Sequence, residues 1–233
     1  RDGITLDKGG ESREVAGVGT LSVYNRQGRR LGTVYLACMP QMGQTELSQR
    51  LTELLQEVLL RCKGHPPRLA YVTDAGATES GYYEVELRRM KDPVTGDRLS
   101  WVRVVDYYHA TKYVGDLADA LFGATAGGRW ARRMRRVLKE AAGVSRVLQS
   151  ASALRNARRL RGERLEAFHK AHRYLWSRSG LMRYAQYRAE GIPMGSGVTE
   201  AGCKVVVTQR MKQSGMRWSQ TGGQVVLNLR CVR

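Results

Sequence analysis

Two β-rich runs, Arg13 to Asn25 (REVAGVGTLSVYN) and Arg30 to Cys38 (RLGTVYLAC), are separated only by Arg26-Gln27-Gly28-Arg29. Runs rich in Val, Thr, Tyr and Leu on either side of a short glycine-bearing turn can hardly do anything but fold back as a hairpin. Ile4 to Leu6 reads as the tail of an earlier strand, so the chain opens in a three-stranded antiparallel meander. Thr45 to Cys62 follows with Leu47, Leu51, Leu54, Leu55, Val58 and Leu59 at helical spacing, an amphipathic helix. Pro66 and Pro67 end it.

Leu69 to Thr73 (LAYVT) is a short apolar run of the buried-strand type and leads into Asp74-Ala75-Gly76. Gly81 to Met90 reads as a helix, Asp92 to Asp97 as a loop, and Trp101 to Asp106 (WVRVVD) as a second buried strand. The order strand, strand, strand, helix, strand, helix, strand is an α/β pattern of RNase H-like plan, a mixed five-stranded sheet with helices. From about Tyr113 to Glu190 the pattern changes to Leu-, Ala- and Arg-rich helical windows broken at glycines, an all-helical insertion. The expected organisation is core over 1–112, insertion over 113–190, and a final core segment with a basic tail over 191–233.

The 233 residues, 42% hydrophobic, are enough for a sizeable core, and the net charge of +18 is not evenly spread. Arg129, Arg132, Arg133, Arg135, Arg136 and Lys139 form one block. Arg155, Arg158, Arg159, Arg161 and Arg164 form a second, and Arg210, Lys212 and Arg217 a third. Arginine predominates, which favours forked phosphate contacts and points to nucleic acid as the partner; a merely solvated basic surface is the alternative. Cys38, Cys62, Cys203 and Cys231 form no C-x-x-C pair and the four histidines complete no zinc spacing, so buried free thiols in a reducing cytoplasm are expected. No apolar run reaches the length of a membrane span. The chain opens at Arg1 without a methionine and reads as a piece of a longer protein.

Gly191 to Trp218 (GIPMGSGVTEAGCKVVVTQRMKQSGMRW) carries the chemistry. Gly195-Ser196-Gly197 should break the chain and cap a helix through the Ser196 hydroxyl, with Glu200 in its first turns where an acid suits the dipole. The helix then turns basic and should stop near Gly215. Met216-Arg217-Trp218 would leave it as a loop, with Trp218 either stacking on an unpaired base or packing in the core. The alternative is that Glu200 is a plain i,i+4 partner of Lys204, worth about 0.2–0.5 kcal/mol. Asp74 ends a buried strand, where open α/β sheets place their sites, though strand-end acids also cap helices. Asp2 lies in the first strand, though Asp2-Gly3 is also an ordinary turn dipeptide. Asp2, Asp74 and Glu200 together would offer hard oxygen ligands to two Mg²⁺ or Mn²⁺ ions suited to phosphoryl transfer. Asp106, with His109, enters a helix from the next strand; the readings are that the pair orients that site or touches bound DNA, that His109 simply caps or packs, and that Asp106 is a ligand in place of Asp2.

Asp2-Gly3, Tyr71-Val72-Thr73-Asp74, Asp106-x-x-His109, and Gly195 to Lys204 running on to Arg210-Met211-Lys212 and Ser214 to Trp218 together resemble bacterial insertion-sequence transposases of the DDE type. The likeness is to the Kra-type branch, distantly related to Mutator-like elements. The resemblance implies an RNase H-like catalytic core, a helical insertion before the final acid, and DNA cleavage and strand transfer at element ends. It also implies Asp2, Asp74 and Glu200 as the metal-binding triad and Asp106 with His109 as the accessory D-x-x-H motif. Water would cleave a phosphodiester at the element end, and the freed 3′-OH would attack target DNA. Lys204, Arg210, Lys212 and Arg217 would hold the DNA backbone, and the element ends would be paired by a homodimer. A transposase-derived DNA-binding protein that no longer cleaves, and an RNase H-like nuclease or resolvase, are the competing expectations.

Overall fold

A computed structural model describes residues 2–7, 13–62, 67–211 and 216–232, with the backbone alone for 2–7 and 13–15. The meander forms as β1 (Asp2–Asp7), β2 (Arg13–Tyr24) and β3 (Arg30–Cys38), antiparallel, with Asp2 opposite Val18 and Val18 opposite Ala37. After α1 (Thr45–Arg61) come β4 (Leu69–Thr73), α2 (Ala77–Val85) and β5 (Trp101–Val105). The helical stretch is α3 (Tyr107–Phe122), α4 (Gly128–Val137), α5 (Gly143–Arg158), α6 (Gly162–Ser177) and α7 (Tyr184–Ala189). Then α8 (Gly197–Gly202), a π-helical segment (Cys203–Thr208) and α9 (Gln209–Met211) run without a break, and α10 (Gln220–Cys231) closes the order.

The fold is mixed α/β, but its described strands hydrogen-bond as two sheets, β1-β2-β3 and β4-β5, instead of the single five-stranded layer expected. At β5 the free edge is met by side chains. Tyr184 and Tyr187 of α7 donate their hydroxyls to the carbonyls of Val105 (2.9 Å) and Arg103 (3.1 Å), two alternate positions of one strand edge. On β3 the side chain of Gln224 from α10 does the same, accepting from the Met39 N–H (2.9 Å) and donating to the Ala37 carbonyl (3.0 Å).

The chain divides into two compact units. One comprises Arg1–Leu69, Gly76–Val102 and Ser196–Arg233, the other Ala70–Ala75 and Arg103–Gly195. In the first, the two-residue period of β2 separates two faces. Gly17 faces α1, where Leu47 Cδ2 sits 2.8 Å from the place a Cβ would take, and Leu47, Leu51, Leu55 and Leu59 form the buried stripe of that helix. Ala16, Val18 and Ala37 face the other way and pack with Cys203, Val206, Val207, Met211 and Leu227. In the second unit α3 packs on α6 and α4, and Val114, Leu117, Leu121, Phe168 and Leu175 are buried.

Two helices differ from the sequence expectation. The helix expected over 81–90 begins four residues earlier, after Gly76, and ends as a separate 3₁₀ turn, Leu87–Arg89. α10 was not anticipated; Ser219 caps it by accepting from the Gly222 N–H at 3.1 Å. The four cysteines are free thiols, with Cys38 and Cys203 buried. No described helix is long and apolar enough to cross a membrane.

Candidate functional site

In the second unit the ends of β4 and β5 meet: the Asp106 N–H donates to the Thr73 carbonyl at 2.7 Å, so Asp74 and Asp106 are the residues that follow two adjacent strands. Past Asp74 the chain makes a turn that ordinary residues avoid, with Ala75 in the left-handed region at φ +55°. Such a conformation persists only where its surroundings over-determine it. Here the Thr73 hydroxyl accepts from the Ala75 N–H (3.1 Å), and the Arg178 guanidinium donates twice to the Ala75 carbonyl (3.2 and 3.1 Å). Tyr174 donates to the Asp74 carbonyl at 2.6 Å. Asp74 itself is half-buried.

Asp106 is 2% exposed, and its Oδ1 accepts from the His109 backbone N–H at 2.7 Å. The D-x-x-H spacing is therefore that of an N-cap acid and the third helical residue, and it starts α3. The His109 ring lies in an aromatic layer, 5.5 Å from Tyr113 and 5.7 Å from Tyr174 between centroids. Tyr113 and Tyr174 are stacked at 3.7 Å, and the Arg178 guanidinium covers Tyr174 at 4.3 Å. Burial, opposed by the Arg178 cation and helped by the Asp74 carboxylate, holds the Tyr174 hydroxyl well above the ordinary tyrosine range. Tyr174 is thus a neutral donor throughout the physiological range.

The leading part of the Gly191–Trp218 segment also belongs here. Tyr107 donates its N–H to the Met194 carbonyl at 2.8 Å. A Cβ on Gly195 would stand 3.0 Å from the Tyr108 ring and 3.6 Å from Asp106 Oδ2, so only glycine lets this backbone lie against both.

In the first unit Glu200 is exposed in the first turn of α8, its N–H donating to the Ser196 carbonyl at 3.0 Å. Ser196 is the N-cap residue, but its side chain makes no capping bond, contrary to expectation. Glu200 and Lys204 are both exposed, whereas Cys203 and Val207 are buried. Helix α8 docks on the face of β2 that carries Val18. Thr199 and Thr20 share a hydroxyl hydrogen bond of 2.7 Å, and a Cβ on Gly202 would meet Tyr35 at 2.8 Å and Val18 at 3.7 Å. Val18 is the register partner of Asp2, whose side chain lies outside the described residues.

The π-helical turn that follows was not legible from the sequence. The Thr208 hydroxyl donates to the Cys203 carbonyl (3.3 Å), and the Arg230 guanidinium of α10 donates to the Val205 carbonyl (2.8 Å). Insertions of this kind are frequent at functional sites because they offset the helix faces before and after them. Arg210 and Arg217 are exposed, and Lys212 lies outside the described residues. Trp218 packs against the core cluster and donates its indole N–H to the Met211 carbonyl at 3.2 Å, the packing alternative of its two readings.

Among the described residues no group of three or more His, Cys, Asp or Glu side chains is gathered closely enough to hold a metal ion. Asp74 and Asp106, on adjacent strands, are nevertheless the oxygen-donor chemistry that a hard divalent cation takes. The chain matches no family model, no curated protein and no solved structure.

Proposed function

We propose that this chain is the catalytic domain of a DDE-type DNA transposase, with an RNase H-like arrangement, acting on DNA phosphodiesters at insertion-sequence ends. The observation that carries the reading is the turn at Asp74, where a carboxylate follows a buried strand on a left-handed backbone clamped by Tyr174 and Arg178. Strain held this firmly is characteristic of sites that must position a group. A second support is the segment leading to Glu200, whose Gly195 lies against Asp106.

In this reading Asp2, Asp74 and Glu200 would hold two Mg²⁺ or Mn²⁺ ions, with Asp106 and His109 in an accessory role. Bound there, such ions activate the attacking oxygen and stabilise the leaving one in an in-line displacement. The protein's own part is positional. Tyr174 and Arg178 fix the backbone of Asp74, and Asp106 fixes the start of α3 and with it the His109 ring. Lys204, Arg210, Lys212 and Arg217 supply cations for the DNA backbone, and Trp218 anchors the connection that bears Arg217. A homodimer on paired ends completes the scheme.

A second reading is a transposase-derived DNA-binding protein without cleavage activity, which the net charge of +18 and its arginine blocks would serve equally. A labelled-DNA assay with Mg²⁺ or Mn²⁺ on the wild type and Asp74→Asn separates the readings. Cleavage that is lost in the variant while binding remains supports the transposase. Equal behaviour of the two proteins favours the binder. Cutting without any joined product favours an RNase H-like nuclease or resolvase.

A further inference from the structure

The second unit contains an open cleft of about 460 Å³ beside the beginning of α3. Its lining includes Arg132, Arg135, Arg136, Lys139 and Arg188. The first four recur at positions i, i+3, i+4 and i+7, so the helical period of α4 and the turn after it collects them on one side. The opposite side of α4, Ala131, Met134 and Val137, is buried.

Three details make this a prepared site rather than a run of solvated charges. The only acid in the lining, Glu140, is engaged by Arg146 of α5, which does not line the cleft, so the five cations face little compensating charge within it. The Arg135 guanidinium is tethered: its Nε donates to the Thr111 carbonyl at 3.4 Å, and a Cβ on Gly115 would stand 3.3 Å from its terminal nitrogen. Lys139 rests its ammonium over the Tyr107 ring at 4.5 Å, and the Tyr107 hydroxyl is itself tied to the Arg135 carbonyl at 2.7 Å. Long side chains held in this way lose less freedom when an anion arrives.

The cleft is larger than one small anion, and several forked guanidiniums around it match the oxygens of successive phosphates better than a lone carboxylate. Beside it stands Tyr108, 61% exposed, with its ring 5.6 Å from that of Tyr107. Cations that track a backbone next to an exposed aromatic face are the pattern by which proteins hold nucleic acid without reading its sequence.

We propose that the cleft between α3, α4 and α7 is a DNA-backbone binding site in its own right, taking phosphates through Arg132, Arg135, Arg136, Lys139 and Arg188. It rests on the DNA partner of the proposed function but not on its acids or metals.

The test measures binding of a short fluorescein-labelled DNA duplex in EDTA across a salt series, so that no metal-dependent step contributes. Arg132→Ala/Arg136→Ala is compared with Arg129→Ala/Arg133→Ala, an equal loss of charge from exposed positions of the same helix outside the cleft. Circular dichroism confirms that each variant is folded. The cleft pair should lose affinity about tenfold or more and reduce the slope of log K against log salt by about 2, whereas the control pair should change both much less. Equal losses in the two pairs, or no loss in the cleft pair, would overturn the site. Poly-glutamate competing as well as DNA would overturn its assignment to nucleic acid. The outcome is separable from that of the cleavage assay. The binding series is read in EDTA on residues assigned no metal, so the cleft can stand when cutting is lost, and cutting can persist if the cleft fails.

Discussion

Tyr174 gives its phenolic hydrogen to the backbone carbonyl of Asp74 at 2.6 Å, across one hundred positions of sequence. The bond is to main chain, so it positions the carboxylate by fixing the backbone that carries it. Arg178, one helical turn further along, does the same for the Ala75 carbonyl while covering the Tyr174 ring.

Tyr174→Phe keeps the stack on Tyr113 and deletes only this donor. Removing the donor from this part-buried carbonyl should cost about 0.5–1.5 kcal/mol in urea denaturation. The cleavage rate should fall while DNA affinity is kept. A variant equal to wild type in both stability and rate would show that the clamp has no role.

Asp106 has two jobs that substitution can separate. Asp106→Ala removes the cap of α3 and should lower stability by about 0.5–2 kcal/mol, whereas Asp106→Asn retains the cap and should melt close to wild type. If the carboxylate also serves the chemistry, Asp106→Asn should be folded, bind DNA and cleave poorly. Full cleavage by Asp106→Asn would restrict Asp106 to capping.

Tyr184 is almost wholly buried, and burial, reinforced by the Asp106 carboxylate, holds its hydroxyl neutral and donating. Tyr184→Phe leaves the Val105 carbonyl unpaired at the edge of β5 and should cost about 1–3 kcal/mol by urea titration. A loss near zero would mean that water replaces the hydroxyl at that edge.

Much of this was legible locally. The hairpin strands, the leucine stripe of α1 and the two short strands lie where alternation and helical spacing put them, because each pattern is decided within a few residues. Less local features were not. Gly81 reads as the start of a helix but sits inside α2, and α10 carries Gly222-Gly223 in its first turn, which hides a helix that packs Leu227 in the core. The π turn passes through Val205, Val206 and Val207, whose sequence gives no sign that the ladder slips there. Asp74, Asp106 and Glu200 stand out as candidates by their place in the sequence, but Tyr174 and Arg178, which hold the Asp74 turn, come from a distant segment and carry no local mark.

His172 gives the second unit a pH dependence. Burial, followed by the proximity of His169 and Arg155, lowers its pKa below the ordinary 6.5, while Ser152 lies within hydrogen-bonding distance of its ring at 3.2 Å. The unfolded chain therefore binds this proton more readily, so the neutral-form stability is present above the ordinary value and is lost as pH falls through it. The melting temperature should drop on acidification below about pH 6.5, and His172→Gln should flatten that part of the curve. Parallel curves for the two proteins would assign the acid sensitivity elsewhere.

The central claim is that Asp74 belongs to a divalent-cation site for phosphoryl transfer, and Mn²⁺ titration followed by the loss of its free-ion electron paramagnetic resonance signal tests it most directly. The wild type and an Asp119→Asn control should take up Mn²⁺, while Asp74→Asn, folded by circular dichroism, should bind it far more weakly. Equal uptake by Asp74→Asn and wild type, or none by either, would contradict the account.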